Sequence, residues 1–351
     1  MHYYPQINGL RALAVVPVLI FHCWADIGFH GGIGVDLFFV ISGFLITRIL
    51  LTEFDRTDTI SIRDFYTRRF YRILPALVVL CLAVSLFIVA LTLLAPELGG
   101  YYKFATVVAA LTSTMNWARA FEFTEGGLLG HTWSLSVEEQ FYLVWPLALG
   151  WALRRGTSRR TLLQAVVAAA VAVFLWRSWL VAQGASTPRL YYGTDTRIDT
   201  ILVGCAIALS DLKSAGTWLG RLWFVPLAGF AGAIVLGADA YPHLFQLHDA
   251  IVVLSCAWLV VLARDGAAPL RLLESGPATW IGKRSYSLYL WHYPPIIGLA
   301  LLGCEGPVWG AAVFVASFGL ADASYRFVER PFLARKAKSQ AHGPAGVGLA
   351  A

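Results

Sequence analysis

The sequence predicts an all-α fold: a polytopic membrane helix bundle of about ten transmembrane helices plus a short re-entrant or surface helix. Three observations carry that prediction. Hydrophobic residues make up 58% of the chain and charged residues only 14%, against about 25% charged in soluble domains. The apolar residues gather in blocks such as Ile73–Leu94, Leu162–Ala182 and Val308–Tyr325, each near the roughly 20 residues a helix needs to cross a hydrocarbon core. The blocks do not alternate as the strands of a barrel would, which leaves helices to satisfy the backbone in lipid.

Taken in order, the first span covers Leu10–Trp24 and the second Ile33–Leu51. The segment Thr52–Leu74 is polar and holds Arg56, Arg63, Arg68, Arg69 and Arg72. By the positive-inside rule it is a cytoplasmic loop. The next basic stretch, with Arg154, Arg155, Arg159 and Arg160, belongs on the same side and requires an even number of crossings in between. Three blocks compete there: Ile73–Leu94, Tyr102–Trp117 and Ser134–Leu153. The middle one is the shortest and most polar, so it is the re-entrant or surface helix. The remaining spans are Leu162–Ala182, Asp199–Leu212, Leu222–Ala238, Ala250–Ala263, Trp280–Leu302 and Pro307–Tyr325. Both termini are then cytoplasmic. One membrane domain covers residues 1–332, and residues 333–351 form a short, basic, unstructured cytoplasmic tail. Arg11 interrupts the first apolar block, which reads as a span rather than a cleavable signal peptide.

The net charge of +6 is what basic cytoplasmic loops give a membrane protein. Nucleic acid is not an expected partner, because the basic-aromatic surface it requires is missing. The 5 cysteines are dispersed through apolar blocks and read as packing residues. No metal site is expected: there is no H-E-x-x-H or comparable ligand spacing.

Ionisable residues inside spans are functional candidates by default. Arg11 and His22 share the first span, and eleven steps of a helix leave them about 20° apart in azimuth and about 16 Å apart along the axis. That places His22 near mid-membrane on the Arg11 stripe. The alternative is a snorkelling arginine and a hydrogen-bonded core histidine. Asp36 begins the second span among Gly31, Gly32, Gly34 and Gly43, residues that allow close backbone approach. In "HTWSLSVEEQFYLVWP", His131 and Glu138 are spaced to align on a helix, with Ser134 and Tyr142 on neighbouring turns and Glu139 beside them. Two adjacent acids at the start of a span point to a polar cavity. Arg197 and Asp199 read as an ion pair or as site residues. His292, just before two prolines, reads as a site residue or as the cap of a broken helix.

Together these segments resemble the acyltransferase-3 family of membrane O-acyltransferases, whose members modify surface polysaccharides, peptidoglycan, nodulation factors and macrolides. The likeness runs from Gly9 to Phe332 through the Arg–ten residues–His first span, "GVDLFFVISGFLIT", "RRFYRILP", "HTWSLSVEEQFYLVWP", "RIDTILVG", "YSLYLWHYP" and "VERPF", in that order. The resemblance implies that His22 is the essential catalytic residue and Arg11 its first-span companion. It implies that Arg69 and Arg72 help bind acyl-CoA, acetyl-CoA in the first instance, with Arg68 beside them. Arginine forks suit the phosphates of coenzyme A. The expected chemistry is general-base transfer by neutral His22 to a hydroxyl of a sugar or glycoside acceptor, with Glu138 or Asp36 holding the His22 tautomer. Arg11, Tyr142 or backbone amides are the candidates for the oxyanion. A covalent route through His22 or Ser42 is the alternative. Substrate contacts are expected from Ser42, Trp133, Tyr142, Arg197, Asp199 and His292.

The family resemblance also implies a bacterial inner membrane. Many larger members carry a C-terminal hydrolase-like domain, which this sequence does not show. Either the chain acts alone on an acceptor that reaches the membrane cavity, or a separate periplasmic acyl-handling protein completes the transfer. The competing reading is a multi-spanning transporter or flippase of a sugar-linked or lipid substrate, which needs no acyl-CoA chemistry.

Overall fold

The computed structural model describes residues 4–24, 30–95, 104–210, 220–236 and 245–334. Among them there are helices and no strands. They are α1 (Pro5–Cys23), α2 (Gly34–Thr57), α3 (Ile62–Leu94), α4 (Phe104–Leu111) and α5 (Met115–Ala120). Then follow α6 (Trp133–Arg154), α7 (Arg159–Ala182), α8 (Thr187–Tyr192), α9 (Thr194–Leu209) and α10 (Phe224–Leu236). The series closes with α11 (Phe245–Arg264), α12 (Gly276–Trp291), α13 (Tyr293–Leu301) and α14 (Pro307–Ser324).

Among the described residues, six helical stretches are long and apolar enough to cross a membrane: α1, Gly31–Thr57, α3, α7, Leu247–Arg264 and Pro307–Ala334. The other spans read from the sequence are helices too, each with a reason for missing that standard. α6 carries Glu138 and Glu139, while α9 and α10 have only 16 and 13 residues. The span expected as one helix over Trp280–Leu302 is two, α12 and α13, broken at His292. Pro294 and Pro295 lack the N–H groups that would continue the ladder across the break. The segment read as re-entrant or at the surface is two short helices, α4 and α5, with Ser113 between them at φ 54°. Its first residues, 102 and 103, lie outside the described residues, as do residues 335–351 of the expected tail.

The bundle wears its apolar side chains outward. Leu82, Leu86 and Leu93 on α3 are exposed, as are Val171, Leu175 and Trp179 on α7. Only 11% of the apolar window of α7 is buried. In water so much exposed apolar surface would be a liability, whereas in lipid it is the solvated face.

The expected loop Thr52–Leu74 is mostly helix. α2 runs on to Thr57, a turn follows, and the Ser61 hydroxyl caps α3 by accepting from the Asp64 N–H at 3.3 Å. Hydropathy marks where lipid ends, not where a helix ends. At 33 residues α3 is about 50 Å long, beyond the roughly 30 Å hydrocarbon layer. Arg63, Arg68, Arg69 and Arg72 therefore ride on its first turns.

Small residues bring α2 against α9. A Cβ on Gly43 would stand 1.9 Å from the Ile201 carbonyl oxygen, and one on Gly204 would stand 2.1 Å from that of Val40. Such reciprocal contact needs glycine on both helices. α1 packs between α2 and α12, which puts its polar stripe at the centre of the bundle.

Candidate active site

Two polar regions lie along α1. The first is a cavity, partly open to the outside, lined by Arg11, Ser42, Arg69, Arg72, Ser134, Glu138, Tyr142 and Tyr289 among others. α3 presents Arg69 and Arg72 from one face, as residues three apart on a helix do. α6 presents Glu138 and Tyr142 one turn apart. The Glu138 carboxylate accepts from the Ser42 hydroxyl at 2.6 Å and from the Tyr142 hydroxyl at 3.2 Å. The Arg69 guanidinium lies 4.4 Å from the Tyr142 ring centre. Among the described residues, Arg11, Arg69 and Arg72 have no carboxylate within salt-bridge distance. Arg68, expected beside Arg69 and Arg72, pairs with Glu53 at 3.1 Å instead and does not line the cavity.

The second region is a cluster of three histidines. His22 lies in the last turn of α1, at the helix end rather than its middle. His292 sits at the α12–α13 break, and His131 in the 3₁₀ turn Gly127–Thr132. His22 Nδ1 is 3.0 Å from the Val18 carbonyl oxygen and 3.1 Å from His292 Nε2. His292 Nδ1 is 3.1 Å from the Leu288 carbonyl oxygen, and His131 Nε2 is 3.2 Å from that of Leu290. The Tyr293 ring stands edge-on to His22 at 4.9 Å. Two cavity residues reach this cluster. The Ser134 and Tyr289 hydroxyls are 2.6 Å apart, and the Tyr289 hydroxyl donates to the His131 carbonyl oxygen at 2.7 Å. Among the described residues no group of His, Cys, Asp and Glu is arranged to hold a metal ion.

Neither acid expected to hold the His22 tautomer hydrogen-bonds to it. Glu138 is engaged by Ser42 and Tyr142, and Asp36 lies in a buried ion ladder. There Arg197 bonds Asp36 at 2.5 Å and Asp249 at 2.9 Å, while Arg177 bonds Asp249 at 2.5 Å and Asp199 at 3.0 Å. All five side chains are buried. They tie together α2, α7, α9 and α11. The expected Arg197–Asp199 pair does not form, because residues two apart on a helix point about 200° apart. The expected helical alignment of His131 with Glu138 also fails, since the 3₁₀ turn ends before α6 begins.

Trp133, expected to touch substrate, is buried against Phe39, Tyr191 and Tyr192, with ring centres 6.2, 4.9 and 5.2 Å away. Arg177 and Asp249 are the polar centres that sequence reasoning passed over. Arg177 had a usable signal: a lone arginine inside a long apolar run. Asp249 stands just before the expected start of its span. Glu329 is a further buried acid that sequence reasoning passed over. It lies buried in a π turn, Tyr325–Glu329, where it accepts from the Ser287 hydroxyl. Such turns recur at functional sites, but no residue pattern announces this one.

Residues 4–326 match the sequence profile of the acyltransferase domain family. The chain is similar to peptidoglycan O-acetyltransferase OatA of Listeria monocytogenes, 34% identical over 94% of this chain and 56% of that protein. It is also similar to O-acetyltransferase OatA of Staphylococcus aureus, 32% identical over 97% of this chain and 59% of that protein. The chain thus spans less than two thirds of the length of these relatives. No solved structure matches it.

Proposed function

The chain belongs to the acyltransferase-3 family, and from that premise we propose that it transfers an acetyl group from acetyl-CoA to a hydroxyl of a cell-wall glycan. The observation that carries the reading is the cavity. It holds three arginines with no carboxylate partner among the described residues, inside a protein that spans a membrane. Cations without a counterion inside a membrane bundle are costly, and an anion of matching shape relieves that cost. The phosphates of coenzyme A offer such an anion, which Arg69 and Arg72 would fork while Arg11 marks the way inward. The pantetheine arm then extends past Ser134 and Tyr289 toward the histidine cluster.

His22 acts there as general base on the acceptor hydroxyl. Tyr142 and Arg11 stay with the donor. The protein lies in a bacterial inner membrane with both termini cytoplasmic, so the donor enters from the cytoplasm. The peptidoglycan acceptor is suggested by the names of the relatives.

The test is thiol release from acetyl-CoA by the purified protein in detergent, with and without a peptidoglycan oligosaccharide. Wild type should release thiol and acetylate the glycan, and His22→Ala should lose on the order of 10²–10⁴-fold in rate, the range of general-base catalysis. A wild type that neither binds nor cleaves acetyl-CoA sinks the reading. Substrate flux without thiol release would turn it toward a transporter.

A further inference from the structure

A general base needs one ring nitrogen bare and the other held, and the structure leaves that holding to a residue other than an acid. A neutral imidazole carries a single N–H. The Leu288 carbonyl oxygen can only accept, so His292 Nδ1, 3.1 Å away, carries the hydrogen. His292 Nε2 is therefore a lone pair. His22 Nδ1 faces that lone pair at 3.1 Å and the Val18 carbonyl oxygen at 3.0 Å. A bare His22 Nδ1 would oppose lone pairs on both sides, so the hydrogen sits on Nδ1 and is shared between the two acceptors. His22 Nε2 is left unprotonated.

We propose that His292 is the positioning residue of the base, taking the place that a carboxylate holds in a Ser-His-Asp arrangement. The inference rests on His22 being the base, as argued above. His292 is well fixed for the task. It is fully buried, its backbone N–H also donates to Leu288, and the Tyr289 and His131 rings pack 5.6 Å away on centres. A neutral partner suits the setting, because a carboxylate here would add a buried anion inside the membrane bundle.

The step balances without any other reactant. The acceptor O–H breaks and its proton moves to His22 Nε2, while the hydroxyl oxygen bonds the acyl carbon. The C–S bond breaks, and the departing thiolate takes the proton back from Nε2. During the step His22 is an imidazolium whose Nδ1–H is shared with His292 Nε2. His292 touches no substrate in this role, which departs from its expected place as a substrate contact.

The experiment compares wild type, His292→Ala and His292→Gln, the glutamine offering an amide oxygen near the position of Nε2. For His292→Ala, kcat should fall on the order of 10- to 100-fold, the usual cost of losing an orienting partner. KM for acetyl-CoA and for the glycan should hold within about twofold, and His292→Gln should recover part of kcat. In a His22→Ala background, neither change should reduce the residual rate further. Equal losses in Ala and Gln variants that melt like wild type would overturn the proposal, as would a rise in KM at unchanged kcat. A readout independent of activity is ¹⁵N NMR of histidine-labelled protein, with His22 assigned by its absence in His22→Ala. Protonation at Nδ1 in wild type supports the proposal even if acetyl-CoA proves not to be the donor. Protonation at Nε2 overturns it whatever the donor.

Discussion

The ion ladder and the cavity are both charged regions inside the same bundle, and they are built on opposite rules. In the ladder, Asp36, Arg197, Asp249, Arg177 and Asp199 form an unbroken chain of ion pairs. None of them lines the cavity. In the cavity, Arg11, Arg69 and Arg72 face open space, and the nearby Glu138 is held by hydroxyls rather than by a guanidinium. Removing one partner of a buried pair leaves an uncompensated charge. Removing a cation that had no partner relieves a strain. The ladder is thus a fastening between four helices, and the cavity, on the function proposed above, is where an anion is received.

The largest expected effect tests the fastening. Arg197 bonds both Asp36 and Asp249, so Arg197→Ala leaves the buried Asp36 carboxylate without its ion-pair partner and should cost about 3–5 kcal/mol of stability, the range for breaking a buried pair. Thermal unfolding of the purified protein in detergent reads this directly, and KM for acetyl-CoA in the protein that remains folded should not move. A loss below about 1 kcal/mol, the scale of an exposed ion pair, would mean that the ladder is not what holds these helices together.

The second prediction probes the receptor. Arg72→Ala should raise KM for acetyl-CoA about 10- to 100-fold, as expected for losing a hydrogen bond to a charged group. Its melting temperature should stay near that of wild type, because Arg11 and Arg69 lose a like-charged neighbour while Glu329 and Glu138 lose an opposite one. If the variant instead melts early with KM unchanged, the cavity arginines are structural and the contrast between the two regions disappears.

How much of this could be read from residues alone follows the same division. Apolar blocks gave the helices, and the two prolines after His292 marked the α12–α13 break, although the span was read through it. Arg11 and His22 are local to one helix, so their place together on it was legible from the sequence. The ladder was not. Its bonds join residues as far apart as Asp36 and Arg197, and a sequence shows only that each is charged. Spacing even misled for Arg197 and Asp199, where nearness along the chain was taken for nearness in space. The partner of His22 was hidden for the same reason, since His292 comes from the other end of the chain.

The smallest expected effect concerns Ser42, which separates two chemical routes. Its hydroxyl donates to Glu138 at 2.6 Å, while Tyr142 donates to the other carboxylate oxygen at 3.2 Å. In that geometry Ser42 supports Glu138, whose carboxylate it shares with Tyr142, and among the described residues no histidine hydrogen-bonds to Ser42 as in a Ser–His pair. Ser42→Ala removes one of two donors and should cost about 1 kcal/mol of stability, near the net value of a single hydrogen bond. The rate of acetyl transfer should drop less than about fivefold, since the same 1 kcal/mol sets the scale of any loss. A covalent route through Ser42 predicts something else altogether: a loss as deep as that of His22→Ala, with acetyl-CoA cleavage abolished rather than slowed. Run beside His22→Ala, this variant decides whether the cavity only holds the donor or also carries the acyl group. The hydrogen bonds favour holding.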